Sequence, residues 1–245
     1  MKLIVHGASG RMGQNILKLA EENAAHSLAA AVSPELTADG EKNFLNLSDF
    51  AGEAEMIVDF SHHSAVSALL DYAKSRKLPV VIGTTGHTEE EQTLIRQAAK
   101  EIPVFYSRNM SVGVALLVQL AKQTAKVFPD AEIEIVEIHH DQKLDVPSGT
   151  ALMLAEGIRE VRPGATFNIG RPDHGKRTKD EIGIHALRLG NVVGVHEVLV
   201  STGTQTLTLK HEAHDRMLFA QGAMTAAEYL LGKAPGLYDM GTMLG

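Results

Sequence analysis

Residues 2–13 constrain the fold of this chain more than any other stretch. Lys2-Leu-Ile-Val-His6 reads as a short buried strand, and Gly7-Ala-Ser-Gly-Arg-Met-Gly13 turns from it directly into a helix with Met12, Ile16, Leu17 and Ala20 at helical spacing. Each glycine has its own physical use. Gly7 permits the tight turn, Gly10 lets a pyrophosphate approach the backbone, and Gly13 lets the helix pack close to the strand. An ordinary glycine-rich turn shares the composition but not the placement between a strand and a helix.

The next segments repeat the alternation. Leu28–Val32, Met56–Phe60, Leu78–Ile82 and Pro103–Tyr106 read as strands, with helices over about Ser64–Arg76 and after Thr88, where Thr88 and Glu91 make a capping-box pair. The polar stretch between Pro34 and Glu55 carries no clear pattern. Such alternation implies a parallel sheet with right-handed crossovers, whose ligands sit outside the carboxyl ends of the strands. Those ends are Gly7–Gly13, Phe60-Ser61, Gly83-Thr-Thr-Gly86 and Ser107–Met110, which suits a dinucleotide. At the end of the second strand an acid often binds the adenosine ribose of NAD. Here Ser33 and Pro34 come first and Glu35 only afterwards, while Arg11 could meet a 2′-phosphate. The choice between NADH and NADPH stays open, with Arg11 tilting it slightly towards NADPH.

The rhythm changes after an apolar helix over Ser111–Phe128. A β-branched run ends in His139-His140, Lys143 follows in a polar loop, and Pro147-Ser148-Gly149-Thr150 opens another helix, to about Val161. A strand end that holds an imidazole, a nearby ammonium and the free N–H groups of a helix start could together bind and protonate an anion. A long loop is expected over 163–175. Gly183–Leu189, Val192–Val200 and Gln205–His211 read as strands, joined by a hairpin turn at Gly190-Asn191 and another at Ser201–Thr204. They imply an antiparallel sheet in a second domain. A last helix, Met217–Leu231, could return to cover the first sheet.

Composition removes several function classes. A net charge of −7 argues against nucleic-acid or polybasic membrane binding, and an anionic substrate would need a local basic pocket. The chain has no cysteine, hence no disulfide, thiolate nucleophile or Cys-ligated metal. No apolar run reaches membrane-spanning length and the first residues lack a signal-peptide core, so a cytoplasmic location is expected. His62, His63, His185, His196, His211 and His214 show no helical metal-ligand spacing and are read as surface or core residues, leaving no metal site.

Gly7–Gly13, Val58-Asp-Phe-Ser61, Val81-Ile-Gly-Thr-Thr-Gly86, Asn109–Val114 and Glu137–Ala151, in this order and spacing, resemble bacterial dihydrodipicolinate reductases along nearly the whole length. The resemblance implies an α/β chain: a Rossmann-type parallel sheet over residues 1–110 plus 217–245, and a second α+β substrate-binding and oligomerisation domain with a mixed or antiparallel sheet over 111–216. It implies NAD(P)H-dependent reduction of 4-hydroxy-tetrahydrodipicolinate for lysine and diaminopimelate synthesis by a homotetramer joined through the second-domain sheets. His139 would be the acid/base residue, Lys143 its cationic partner, and His140, Ser148, Gly149 and Thr150 the grip on a small dicarboxylate substrate. The cofactor, NADPH or NADH, would meet Gly7, Ala8, Ser9, Gly10, Arg11, Met12, Gly13, Ser33, Phe60, Gly83, Thr84, Thr85, Ser107, Asn109 and Met110. Ser33 departs from the acid of many relatives, Arg108 from a small residue and Met110 from phenylalanine. Two rival readings are another two-domain amino- or keto-acid dehydrogenase and a non-catalytic dinucleotide sensor.

Overall fold

β1 (Lys2–His6) passes through the glycine turn into α1 (Arg11–Glu22), followed by β2 (Ser27–Val32), β3 (Asn43–Phe44), β4 (Met56–Asp59), α2 (Val66–Arg76), β5 (Val80–Ile82), α3 (Glu89–Ala98) and β6 (Pro103–Tyr106). The structure, a computed structural model, describes residues 1–245. By internal packing the chain divides into two units, Met1–Ser111 with Met217–Gly245, and Val112–Arg216.

In the first unit α6 (Met217–Leu230), β12 (Gly236–Tyr238) and α7 (Met240–Leu244) complete a seven-stranded sheet of order β12-β6-β5-β4-β1-β2-β3, every pair parallel. Strand order reverses beside β1, which lies between β2 and β4, so the crevice for a ligand opens at the carboxyl ends of these strands. Leu3, Ile4, Val5, Ile57, Val58, Val80, Val81 and Ile82 are fully buried, as strands covered on both faces require. The capping box of Thr88 and Glu91 forms at the start of α3. The last helix does return to the sheet. α6 is rich in small buried residues (Ala220, Gly222, Ala223, Ala226, Ala227), and a Cβ on Gly222 would collide with the Met110 carbonyl, so close packing depends on that glycine.

The second unit runs α4 (Val112–Val127), β7 (Glu132–His139), α5 (Gly149–Val161), β8 (Thr166–Ile169), β9 (Glu181–Arg188), β10 (Gly194–Ser201) and β11 (Thr206–Ala213). Its sheet order is β11-β10-β7-β9-β8, with β7 parallel to β9 and antiparallel to β10. The hairpin expected at Gly190-Asn191 is therefore absent. β7 inserts between β9 and β10, and β9 pairs in parallel with both β7 and β8, so the sheet is mixed. Ile133, Ile135, Ile182, Ile184, Val198 and Val200 lie in one buried cluster with Ala151, Leu154, Ala155 and Ile158 of α5. The stretch read as a loop contains β8, and the unassigned polar stretch contains β3 and a 3-10 turn at Leu47–Asp49. These strands are two to four residues long, too short for period-two alternation to show.

Candidate functional site

In the first unit the glycine turn has the geometry of an anion cradle. Gly7 adopts φ +80°, and a Cβ there would collide with the Phe60 carbonyl; one on Gly13 would collide with the Gly7 carbonyl. Those two glycines serve the fold. A Cβ on Gly10 would come no nearer than 3.3 Å to another atom, so the bare backbone there leaves room for an incoming group. Gly10 caps α1 with no side-chain bond and no acid stands in the first turn, which leaves orphan N–H donors facing a phosphate position. The turn borders a cavity of ≈ 770 Å³ lined by Gly7, Ser9, Gly10, Ser33 and Phe60 among others, within the roughly 300–1,000 Å³ typical of small-molecule sites. A dinucleotide fits this cradle.

The remaining residues expected at the cofactor have other surroundings. Ala8 is buried within the turn, whereas Arg11 is exposed and does not line the cavity; Met12 is half-buried. Gly83 makes room for the Phe60 ring, with which a Cβ would collide. Thr84 donates to the buried Asp59 carboxylate at 2.6 Å, and Thr85 follows it in the same loop. Ser107 donates to the Asn109 carbonyl (2.7 Å), and Met110 is buried. Sequence reasoning missed the hub at Asp59, which also takes Ser61 Oγ (2.6 Å) and pairs with His6 Nδ1 (2.7 Å). It ties the ends of β1 and β4 to the loop after β5, and His6 lines the cavity.

In the second unit the sequence-predicted residues fall at one end of the sheet. β7 buries Ile133, Ile135, Glu137 and His139 on one face, so its apolar stripe ends in an acid and an imidazole. Glu137 is fully buried. Its Oε2 lies 2.6 Å from His139 Nδ1 and accepts from Arg188 Nη1 (2.9 Å); its Oε1 accepts from Arg188 Nη2 (3.1 Å) and from the Ser148 N–H (3.1 Å). Burial pushes this carboxyl up, but the hydrogen bonds from His139 and Arg188, the His139 charge and the Ser148 N–H together outweigh it and hold it at about 2. An ionised Glu137 requires the His139 proton on Nδ1, and Nε2 is then the ring atom free to exchange a proton. Nε2 sits beside Gly194, where a Cβ would approach it to 3.1 Å.

Ser148 caps α5, accepting from the Ala151 N–H at 3.2 Å, and its hydroxyl lies 3.0 Å from His196 Nε2. Burial, then the neighbouring His139, pushes His196 down to about 3, so it is neutral. Its ring packs edge-on against His139 with centroids 5.1 Å apart. Gly149 is exposed, with nothing within 4 Å of a Cβ position, and Thr150 follows in the first turn. Lys143 pairs with Asp145 at 2.7 Å. Arg216 Nη2 reaches to 3.5 Å from His140 Nε2. Glu137, Arg188 and His196 were not singled out as site residues from the sequence. An acid on the buried face of a strand was the available signal for Glu137; Arg188 and His196 are brought in only by strand pairing. No group of three or more His, Asp or Glu side chains gathers as a metal site.

A doubly wound parallel sheet with a glycine phosphate cradle, joined to a unit bearing a carboxylate-fixed imidazole among cations, defines the chain as a nicotinamide-dependent oxidoreductase. The family models "Dihydrodipicolinate reductase, N-terminus" and "Dihydrodipicolinate reductase, C-terminus" match residues 1–110 and 113–244. The chain belongs to the dihydrodipicolinate reductase family. It is 43% identical over 242 residues to the 4-hydroxy-tetrahydrodipicolinate reductase of Caldanaerobacter subterraneus subsp. tengcongensis, covering 98% of this chain and 96% of that one. It is 39% identical over 247 residues to the reductase of Clostridium tetani, covering 100% and 97%. Among solved structures, the dipicolinate-bound dihydrodipicolinate reductase of Paenisporosarcina sp. TG-14 superposes with TM-score 0.83 at 27% identity, covering 98% of this chain and 97% of that one.

Proposed function

We infer that this chain catalyses the NAD(P)H-dependent reduction of 4-hydroxy-tetrahydrodipicolinate, through dihydrodipicolinate, to tetrahydrodipicolinate in lysine and diaminopimelate biosynthesis. The observation that carries the reading is the four-donor clasp on Glu137, which fixes His139 beside the start of α5 in a chain matched to this family along its length. Dinucleotide binding falls to the first unit, and substrate binding with oligomer contacts to the second.

When bound, the dihydronicotinamide supplies the hydride. Hydride addition to a conjugated cyclic imine leaves an enamine-like carbanion that needs one proton. The doubly protonated His139 ring delivers it from Nε2 and is left neutral with its remaining proton on Nδ1, facing Glu137, while Gly194 leaves Nε2 uncovered. Lys143 exchanges Asp145 for a substrate carboxylate and stabilises the developing charge. The start of α5 takes a carboxylate at Gly149, which is exposed, and at Thr150, while the buried Ser148, its N–H committed to Glu137, fixes that turn in place; His140 and Arg216 contribute positive or hydrogen-bonding edges.

The reading is tested by following nucleotide oxidation with freshly generated 4-hydroxy-tetrahydrodipicolinate and each nicotinamide. Turnover that falls by roughly two powers of ten or more in both His139→Ala and Lys143→Ala supports the assignment. Absence of turnover in the native chain with either nucleotide, or near-native kcat/KM in both variants, refutes it. We also assign a homotetramer in the cytoplasm. Half-exposed Val136, Ile138 and Leu199 and exposed Leu187, on the sheet face away from α5, support the oligomer, which light scattering tests. No helix is long and apolar enough to cross a membrane.

A further inference from the structure

The corner of the first unit where β2 ends holds three side chains that the reaction above does not use. Ser33 Oγ donates to Glu35 Oε2 at 2.5 Å, Ser9 Oγ donates to the same oxygen at 2.9 Å, and the two hydroxyl oxygens are 2.7 Å apart. Ser33 is buried and Ser9 belongs to the glycine turn, so Glu35 is tethered both to the strand end and to the phosphate cradle. All three line the ≈ 770 Å³ cavity. Neither lysine nor arginine lines that cavity, whereas Asp71 does.

We propose that Glu35, two residues beyond Ser33 and held in place by Ser9 and Ser33, reads the adenosine ribose and makes this chain select NADH over NADPH. The proposal rests on the dinucleotide reading of the first unit. A ribose 2′-OH can donate to a carboxylate, which has about four acceptor sites and here uses only part of them. A 2′-phosphate can only accept from its surroundings when ionised, and it carries about −1.5 to −2 charge at neutral pH. It would face Glu35 with no lysine or arginine lining the cavity to offset it. The Ser33 hydroxyl, then Ser9 and the residue's own backbone N–H, hold Glu35 below the ordinary carboxylate range, so its charge is present throughout the working pH. Arg11, which the sequence offered as a 2′-phosphate partner, is exposed and outside the cavity lining.

Calorimetric titration of the full native chain with NADH and with NADPH tests this without catalysis. NADH should bind tighter by roughly 10–100-fold, the span set by one charge-assisted hydrogen bond. Glu35→Gln should bring the two affinities to within about threefold, chiefly by improving NADPH, and Glu35→Arg should invert the order. The side chain is exposed, so both variants should fold, and circular dichroism checks that they do. Equal or tighter native binding of NADPH overturns the proposal, as does a ratio unchanged in Glu35→Gln. NADPH affinity that vanishes in Arg11→Ala would give the role to Arg11. Binding of neither nucleotide to folded native chain would remove the dinucleotide reading itself, and this proposal with it.

Discussion

Replacing Glu137 by glutamine keeps the side-chain shape, removes one negative charge and turns one oxygen into an amide nitrogen. All four neighbours of the native carboxylate donate: His139 Nδ1 and Arg188 Nη1 to Oε2, the Ser148 N–H and Arg188 Nη2 to Oε1. In either amide orientation an NH2 group therefore faces two donors. Leaving buried donors unmatched costs about 1–3 kcal/mol each, and stranding Arg188 brings the loss of stability to about 3–5 kcal/mol, the usual cost of breaking a buried pair from one side. Catalysis suffers through the ring. If the NH2 faces His139, the imidazole must accept at Nδ1 and move its proton to Nε2; if it faces Arg188 and Ser148, the start of α5 shifts instead. The expected fall in kcat is roughly 10²–10⁴-fold, the range for losing a group that orients an acid/base imidazole. Steady-state nucleotide oxidation across pH, with circular dichroism as the folding control, reads the effect. Cofactor affinity measured by titration should not change, because Glu137 lies in the other unit. A folded Glu137→Gln variant with kcat within about threefold of native and a superimposable pH profile would refute the positioning role.

Gly13→Ala should destabilise the first unit by about 1–3 kcal/mol, since its Cβ collides with the Gly7 carbonyl, whereas Gly10→Ala should leave the melting temperature nearly unchanged and weaken nucleotide binding; thermal melts and titrations of both separate the two roles. Gly194→Ala would place a methyl group 3.1 Å from His139 Nε2 and should lower kcat roughly tenfold or more with little change in stability, as kinetics and denaturant unfolding will show. Acid stability should fall in two stages. His196 is held near 3 when folded and sits near 6.5 when unfolded, so the unfolded chain binds the extra proton and stability drops as pH falls from about 6.5 towards 3. Glu137, held at about 2 against an ordinary 4.5, adds a further loss below pH 4.5, and urea midpoints across this range should decline throughout rather than only below 4.5. A flat midpoint down to about pH 4.5 would show that His196 is not buried in its neutral form.

The parallel half of the fold was legible because its signals are local. Apolar β1, β4 and β5, the glycine turn, the Thr88–Glu91 cap and the small-residue face of α6 each declare themselves within a dozen residues. The edge strands β3, β8 and β12 did not, since two to four residues make no pattern. In the site, His139, Lys143 and the Ser148 helix start form one run along the chain and were legible together. The hydrogen bonds around them were not. Asp145 is close in sequence to Lys143, but an ion pair between a half-buried lysine and an exposed acid leaves no trace in residue order.

Strand pairing decides the rest. Gly190-Asn191 is chemically a good hairpin turn, and a hairpin of β9 with β10 would have left no place for Glu137 between Arg188 and His196. Instead β7 takes the place between them. Its register puts His139 opposite Arg188 on the parallel side and Glu137 opposite His196 on the antiparallel side. Directly opposed residues share a face, so all four side chains point to the side where α5 packs. Arg188 can then reach diagonally to Glu137, and His196 can meet the Ser148 hydroxyl. A slip of one residue between β7 and either neighbour would turn one partner to the opposite face and leave Glu137 buried with too few donors. The apolar stripe of Ile133, Ile135, Ile182, Ile184, Val198 and Val200, continuous across the three strands, opposes that slip, so the packing core sets the alignment on which the imidazole's proton depends.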